Sequence, residues 1–233
     1  MSKNKHTIGG PLGVRAEAAI YFVDDQFLFH GLDNRGAEQI KFVSSATVRE
    51  AFSYEPLDSG WLPPGVVRYG VSSRGTWMVR WHAPGIYKVR LAGRKTPLTV
   101  PMPALIWVGL KHNYYIFAAR EPRLTPKAVL HRAPLANVNH HGLICFGKEE
   151  HPDVARGGFD LAWNTFWQSE FNDDHDNGKS RRHPDAVNAM LTELSRAKAK
   201  SYPQADLVSM NVSLDAAIKQ IARRDNESGG NDE

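Results

Sequence analysis

The stretch Leu135-Ala-Asn-Val-Asn-His-His-Gly-Leu-Ile-Cys-Phe146 contains the one cysteine of a 233-residue chain and separates two differently patterned parts of it. Its glycine and its run of small polar residues predict a loop over residues 137–142. Loops that rigid elements hold in place often carry binding and catalytic residues, whereas a single cysteine in a folded protein is more often buried and inert. The position of Cys145 at this junction therefore makes it a candidate nucleophile.

The part of the chain before this stretch has the pattern of β-strands. In residues 77–82 and 87–91 every second residue is large and apolar, and apolar runs follow at residues 104–110 and 114–118. A period of two over successive short segments is typical of strands whose two faces meet different environments. The pattern predicts an antiparallel β meander with one face buried and the other exposed to water.

The part after Cys145 has the pattern of helices. Apolar residues recur at spacings of three and four in residues 159–166, 187–194 and 214–221, with Ser213 as the cap of the last segment. The polar residues 172–180 are expected to form a mobile loop. Strands first and helices last predict an α+β fold rather than a parallel α/β sheet.

The N-terminal residues add further elements. Residues 19–23 and 26–31 have the pattern of two strands joined by a tight turn, residues 40–43 that of a third strand, and residues 45–52 that of a short helix. We therefore predict N-terminal strands and a short helix over residues 1–70, packed on the same domain as the main part of the chain. The main domain is predicted over residues 71–224, followed by a disordered acidic tail at 225–233.

Composition narrows the class of protein. The formal net charge is +4, a mild basic excess that requires no acidic partner, and the absence of a zinc-finger, helix-turn-helix or RNA-binding motif does not favour a nucleic-acid partner. One cysteine excludes an intramolecular disulfide, which suits a reducing compartment. The longest apolar run, residues 104–110, is far shorter than the roughly 20 residues of a membrane span. We therefore expect a cytoplasmic protein.

The spacing around Cys145 resembles that of a known family. Asn137 lies eight residues before Cys145, Gly142 and Ile144 precede the cysteine as Gly-x-Ile, and residues 126–130 resemble a Pro-Pro-x-Val strand. In ubiquitin-conjugating enzymes a strand meander ends in a His-Pro-Asn motif, and the acceptor cysteine follows after a fixed interval. Leu135 and Ala136 stand where that motif has His and Pro, so this chain departs from the pattern in the turn that carries the Asn.

The chain resembles in particular the divergent bacterial branch of that family, to which protein B of the PRTRC systems of mobile elements belongs. The resemblance implies an α+β ubiquitin-conjugating-like catalytic domain over residues 71–224, with extra N-terminal strands. It also implies that Cys145 accepts the C-terminus of a ubiquitin-like protein as a thioester and passes it to an amine. The implied partners are a ThiF-type activating protein, a small ubiquitin-like protein and a JAB-type metallopeptidase of the same pathway. No cofactor is expected.

Asn137 is the candidate for a second catalytic role. Attack of an amine on a thioester develops negative charge on the carbonyl oxygen, which a nearby side-chain amide stabilises. An Asn that only hydrogen-bonds its own turn is the alternative, and both roles can coexist.

The histidines and carboxylates near Cys145 leave several interpretations open. His141 could tune the thiol or serve as a base, as could its neighbour His140; both could bind zinc with Cys145 and His151, or both could be solvated loop residues. The spacing matches no standard zinc ligand pattern, and we predict no metal site. Asp160 is the candidate base that accepts the proton of the attacking amine.

Two further functions compete with that of a carrier enzyme. One is a catalytically inactive ubiquitin-conjugating-like module that recruits a partner, which the missing His and Pro favour. The other is a cysteine hydrolase, which would need a histidine oriented towards Cys145 by an Asn or Asp.

Overall fold

The structure is a computed structural model that describes residues 18–33, 35–51, 59–121, 123–147 and 151–223. The chain divides into two units, Met1–Gly60 and Trp61–Glu233. The division lies before the predicted boundary at residue 70, because strand β4, Val66–Ser72, pairs with β5, Gly75–His82, of the second unit. The predicted acidic tail at 225–233 lies outside the described residues, and the packing of the first unit on the second stays a prediction.

The first unit contains the three predicted strands and the short helix. Strands β1 (Ala18–Val23), β2 (Gln26–Leu32) and β3 (Glu38–Val43) form an antiparallel sheet in that order, followed by α1 (Ser45–Ala51). Asp24 and Asp25 both have positive φ angles, 46° and 59°, as a two-residue hairpin turn requires. The hydroxyl of Ser44 accepts the N–H of Thr47 and so caps α1.

The main sheet of the second unit has six strands in the order β12-β10-β9-β8-β5-β4, and all of its pairs are antiparallel. Its remaining strands are β8 (Ala104–Leu110), β9 (Asn113–Ala119), β10 (Val129–Arg132) and β12 (Ser209–Ser213). Strands β6 (Gly85–Leu91), β7 (Leu98–Met102) and β11 (Glu170–Phe171) form a smaller sheet in the order β11-β6-β7.

The two sheets are joined by a corner in the predicted meander. Strand β5 is followed by β6 after Ala83 and Pro84, and β7 is followed by β8 after Pro103. The register continues across the corner, since His82 lies opposite Leu105 and Gly85 lies opposite Met102. A proline cannot donate to the hydrogen-bond ladder, so the two strands bend at their prolines while they stay paired. The antiparallel meander is therefore confirmed, with one corner that the alternation did not predict.

The three predicted helices are confirmed. They are α2 (Gly158–Gln168), α3 (Val187–Arg196) and α4 (Leu214–Arg223). The hydroxyl of Ser213 accepts the N–H of Ala216 and caps α4 as predicted. The fold is α+β, and its strand pairs are antiparallel except for the parallel pair of β11 with β6.

We predicted strands with one buried face and one face exposed to water. This prediction is confirmed for β6 of the smaller sheet and wrong for β8, at the centre of the main sheet. Strand β6 buries Val89 and Leu91 and exposes Lys88 and Arg90, whereas every residue of β8 is buried. The second face of β8 is covered by α4, whose buried residues pack in one cluster with Ile106 and other residues of that face. The first face is covered by α2 and α3, whose apolar residues share a core with β8.

Trp107 of β8 is the centre of the larger core. Its side chain is fully buried, and its ring lies 5.1 Å from Trp163 and 5.9 Å from Phe166 of α2, and 5.4 Å from Tyr114 of β9. These ring contacts fix α2 against the strands that lead to the Cys145 stretch. Within the described residues, none of the helices is both long and apolar enough to cross a membrane.

The replacement of Gly109 by Ala is expected to destabilise the protein. A Cβ atom at this position on β8 would lie 2.6 Å from Cγ2 of Val154 and 3.0 Å from Phe159. Such overpacking of a core typically costs about 1–3 kcal/mol. Urea unfolding should show this loss for Gly109→Ala. The matched control is Gly85→Ala, whose Cβ would meet its nearest atom at 3.4 Å; equal unfolding free energies for both variants would contradict the assigned packing.

Candidate functional site

The Cys145 stretch is held against strand β9. The N–H of Ile144 donates to the carbonyl of Tyr114 at 2.9 Å, and the N–H of Ile116 donates to the carbonyl of Gly142 at 2.8 Å. Ile144 is buried in the larger core, whereas Cys145 is exposed and free. The structure therefore presents a solvent-accessible thiol directly after a residue that anchors the backbone in the core.

Residues 137–145 form a narrow hairpin rather than an irregular loop. The N–H of Cys145 donates to the carbonyl of Asn137 at 2.9 Å, and the N–H of Asn139 donates to the carbonyl of Leu143 at 2.8 Å. Asn137 and Cys145 are thus neighbours across the hairpin, as their eight-residue spacing allows. We call residues 137–145 the cysteine hairpin.

Gly142 is required at the tip of the cysteine hairpin. Its φ angle is +85°, and a Cβ atom on it would lie 2.3 Å from the ring of Phe117. Both the left-handed backbone and the close approach of the ring favour glycine, which has no Cβ. This explains in physical terms why the Gly of the Gly-x-Ile-Cys pattern occupies this position.

The side chain of Asn137 is buried and hydrogen-bonded at both ends. Its Nδ2 donates to the carbonyl of Glu170 at 2.8 Å, and its Oδ1 accepts the N–H of Asn172 at 3.2 Å. Its backbone N–H donates to the carbonyl of Asp174 at 3.0 Å, and its φ angle is +58°, a left-handed conformation that Asn tolerates better than most residues. These contacts give Asn137 a structural role; its predicted role towards an oxyanion stays a prediction.

Residues 172–180, which we expected to be a mobile loop, form hydrogen bonds to neighbouring elements at several points. Besides the contacts to Asn137, the N–H of Val187 donates to the carbonyl of Asp176 at 2.9 Å, and Nδ2 of Asn188 donates to the carbonyl of Asn172 at 2.9 Å. The segment therefore bridges the cysteine hairpin and the first turn of α3. These contacts run through Asn172 and Asp176, whereas the residues between them are exposed, so the mobility of the segment stays a prediction.

Lys179 is the residue of this segment that the sequence analysis missed. Its side chain is only 1% exposed, and its Nζ donates to the carbonyl of Leu135 at 2.6 Å and to the carbonyl of Val138. Burial lowers the pKa of Lys179 to about 7; the carboxylate of Asp176 opposes this shift and the guanidinium of Arg132 adds to it. No local pattern distinguishes this lysine from a solvated one, because its acceptors lie about 40 residues earlier in the chain.

The histidines near Cys145 have other partners. His141 is exposed, and its backbone N–H donates to Oδ1 of Asn139 at 2.9 Å. Burial, followed by the charges of Arg132 and Lys179, lowers the pKa of His140. Nδ1 of His151 lies 3.1 Å from the carbonyl oxygen of His112. The hydrogen bonds of the described residues include none between an imidazole and the Cys145 sulfur, and no group of three His, Cys, Asp or Glu side chains among these residues is arranged to hold a metal ion.

The structure places Asp160 with β5 rather than with the cysteine hairpin. Asp160 lies in the first turn of α2 and forms an ion pair with Arg80, whose guanidinium lies 4.9 Å from the ring centre of Phe159. Next to this pair, His82 stacks on Trp163 at 3.8 Å, and burial, with Arg80, lowers the pKa of His82 to about 4. This contact is structural, and a role of Asp160 as the base stays a prediction.

Comparison with known proteins gives one match. A family model described as prokaryotic E2 family D matches residues 39–210, which is well over half of the chain. The match includes the meander, the cysteine hairpin, α2 and α3. No curated protein and no solved structure matches the chain.

The stability of the protein is expected to depend on the ionisation of Lys179. Its pKa is lowered to about 7 in the folded state, while an unfolded lysine titrates near ~10.4. Below pH 7 both states hold the proton and the burial of the charge opposes folding. Above it the unfolded chain binds more protons, so stability rises with pH. From pH ~7 to ~9, the unfolding free energy of the wild type should rise relative to that of Lys179→Met by on the order of 2 kcal/mol. Urea unfolding at each pH measures this difference, and a constant difference would show that the lysine does not titrate there.

Proposed function

The chain belongs to prokaryotic E2 family D, and from this we propose that it is a carrier enzyme that holds a ubiquitin-like protein as a thioester on Cys145. The observation that supports the proposal most directly is the exposed thiol of Cys145 at the end of a hydrogen-bonded hairpin. A nucleophilic cysteine needs access to a large protein substrate and a fixed backbone, and this position provides both.

The loading step exchanges one thioester for another. The Cys145 thiolate attacks the carbonyl carbon of a ubiquitin-like C-terminus that is bound as a thioester to a cysteine of an activating protein. The new C–S bond forms as the old one breaks, and the departing sulfur of the activating protein takes up the proton that Cys145 released. The substrate is already activated as a thioester, so an exposed thiol is a sufficient nucleophile for the exchange.

The discharge step forms an amide. A neutral amine attacks the thioester carbonyl, the C–N bond forms, the C–S bond breaks, and Cys145 leaves as a thiolate while the amine loses its proton to solvent. Negative charge develops on the carbonyl oxygen in between. Nδ2 of Asn137 donates one hydrogen to Glu170 and carries a second one, and the hairpin ties Asn137 to Cys145 through the backbone. We propose that this amide stabilises the oxyanion.

The proposed function implies three protein partners. An activating protein must supply the thioester, for which we propose a ThiF-type protein, and the transferred group is a small ubiquitin-like protein. A JAB-type metallopeptidase would act later in the same pathway, on the conjugate.

A second candidate function is a binding module without catalysis. The observation in its favour is that both ends of the Asn137 side chain are already used by backbone groups of residues 170 and 172. In that case the hairpin would be a structural feature of a docking domain, and Cys145 would have no covalent role.

Replacement of Cys145 decides between these functions. With the activating protein, the ubiquitin-like protein and ATP, the wild type should form an adduct that reducing agent releases. Cys145→Ala should form none, and Cys145→Ser should form an oxyester that resists reducing agent. Non-reducing gels measure the adducts, and omission of ATP is the control. An adduct on Cys145→Ala would contradict the proposal, whereas binding without any adduct on the wild type would favour the module. Cleavage of a preformed conjugate by the protein alone would favour a hydrolase.

Replacement of Asn137 separates its two roles. Asn137→Ala should leave loading intact and slow the discharge to amines by about 10²–10³, the usual effect of removing one oxyanion donor. It also removes two buried hydrogen bonds, so the unfolding free energy should fall by about 1–3 kcal/mol. The matched control is Asn177→Ala, at an exposed position. Reduced stability with an unchanged discharge rate, measured below the unfolding temperature, would leave Asn137 with the structural role alone.

A further inference from the structure

The backbone on both sides of Asn137 is held by a single buried amino group. Nζ of Lys179 donates to the carbonyl oxygens of Leu135 and Val138, and the lysine side chain is 1% exposed. We propose that Lys179 is the positioning residue of the cysteine hairpin and that its Nζ fixes the turn that carries Asn137 and thereby the backbone of Cys145.

Because Lys179 is buried, its hydrogen bonds favour one conformation of the turn over others. Removing an ammonium group from water is unfavourable unless oxygen acceptors replace the lost hydration. Lys179 finds two such acceptors in the carbonyls, and Asp176 of its own segment adds a favourable charge. Nζ of Lys179 therefore favours only those conformations of the turn in which both carbonyls face it.

The turn at residues 135–138 needs a contact that holds its backbone in place. Asn137 has a left-handed backbone, with φ at +58°, and the two residues before it, Leu135 and Ala136, have no ring that would restrict their own backbones. The carbonyls that Lys179 contacts are also buried with their residues, so without the ammonium they would lack those hydrogen bonds. A residue in the left-handed region stays there only when its surroundings determine it.

The constraint reaches Cys145 through backbone hydrogen bonds. Lys179 contacts the carbonyl of Val138, and Val138 also forms a β-bridge with Ile144. The carbonyl of Asn137, one residue earlier, accepts the N–H of Cys145. A displacement of the turn would therefore move both strands of the hairpin, and with them the thiol and the Asn137 amide.

The titratable groups around Lys179 come from three elements. Asp176 lies on its own segment, Arg132 on β10 and His140 on the cysteine hairpin. Two of the three are basic, so the site does not neutralise the ammonium by ion pairing alone. The carbonyl oxygens remain its closest described partners.

The test replaces Lys179 and measures hydrogen exchange of individual amides in the full chain by NMR. In Lys179→Met, which keeps the length of the side chain and removes its donors, the amides of Asn139 and Cys145 should exchange about tenfold faster or more. The amide of Val108 in β8 should keep its wild-type rate. The matched control is Lys200→Met, the same change at an exposed position, which should change none of these rates.

Two results would overturn the proposal. One is an unchanged rate at Asn139 and Cys145. The other is an equal acceleration at Val108, which would show that Lys179 stabilises the whole unit rather than the hairpin. If Lys179→Met does not fold, Lys179→Leu, which also lacks a donor, is measured by the same criterion.

The catalytic consequence rests on the proposed function and has its own measurement. In single-turnover discharge of loaded protein, Lys179→Met should lower the maximal rate about tenfold at an unchanged half-saturating amine concentration, while the yield of loading stays the same. An unchanged maximal rate would overturn the link to catalysis. If the wild type forms no thioester, the proposed function fails, and the exchange rates still decide whether Lys179 positions the hairpin.

Discussion

The burial of every residue of β8 is the constraint on which the second unit depends. A strand that is apolar on both faces must be covered on both, and here α2 and α3 cover one face while α4 covers the other. Because β9 pairs with β8 over its whole length, β9 is held in place by the same layers. The cysteine hairpin hydrogen-bonds to β9, so its position depends on the strands that these helices cover.

The site itself combines a rigid support with local polar contacts. Ile144 is buried in the core, and the next residue, Cys145, is exposed. On the other side of the hairpin Val138 is also in the core, and the buried polar groups of Asn137 and Lys179 add hydrogen bonds to this apolar packing. Buried polar contacts are directional, so they define the backbone conformation of a turn more narrowly than apolar contacts would. This arrangement suits a reactive group that must meet a large partner at a fixed angle.

The elements that the sequence predicted correctly are those with a local signal. The helices were confirmed because their apolar residues repeat within a few turns, and the meander was confirmed because its alternation repeats within each strand. The wet face was wrong at β8 because the helix that covers it begins only at Leu214, about 100 residues later in the chain. The sequence of the strand alone does not indicate that a distant helix covers it.

The same reasoning applies to the candidate site. Cys145 and Gly142 could be chosen from spacing alone, and the hairpin explains both positions. Lys179 could not be chosen, because a lysine in a polar run looks the same whether its ammonium faces water or distant carbonyls. Asp160 is the opposite case: it looked available, but its partner Arg80 lies 80 residues earlier in the chain. Side-chain contacts between residues this far apart depend on the topology of the fold. The residues next to them in the sequence do not predict such contacts.

The corner between β5 and β6 restricts how the length of this protein can vary among relatives. His82 and Gly85 keep one register with Leu105 and Met102, although prolines interrupt both strands. An extra residue in one arm of the corner alone would shift β6 against β7 by one position and turn Val89 outward, towards water. Insertions and deletions here must therefore occur on both arms together or be absorbed by a bulge, and length changes are tolerated more easily in the connection between β6 and β7.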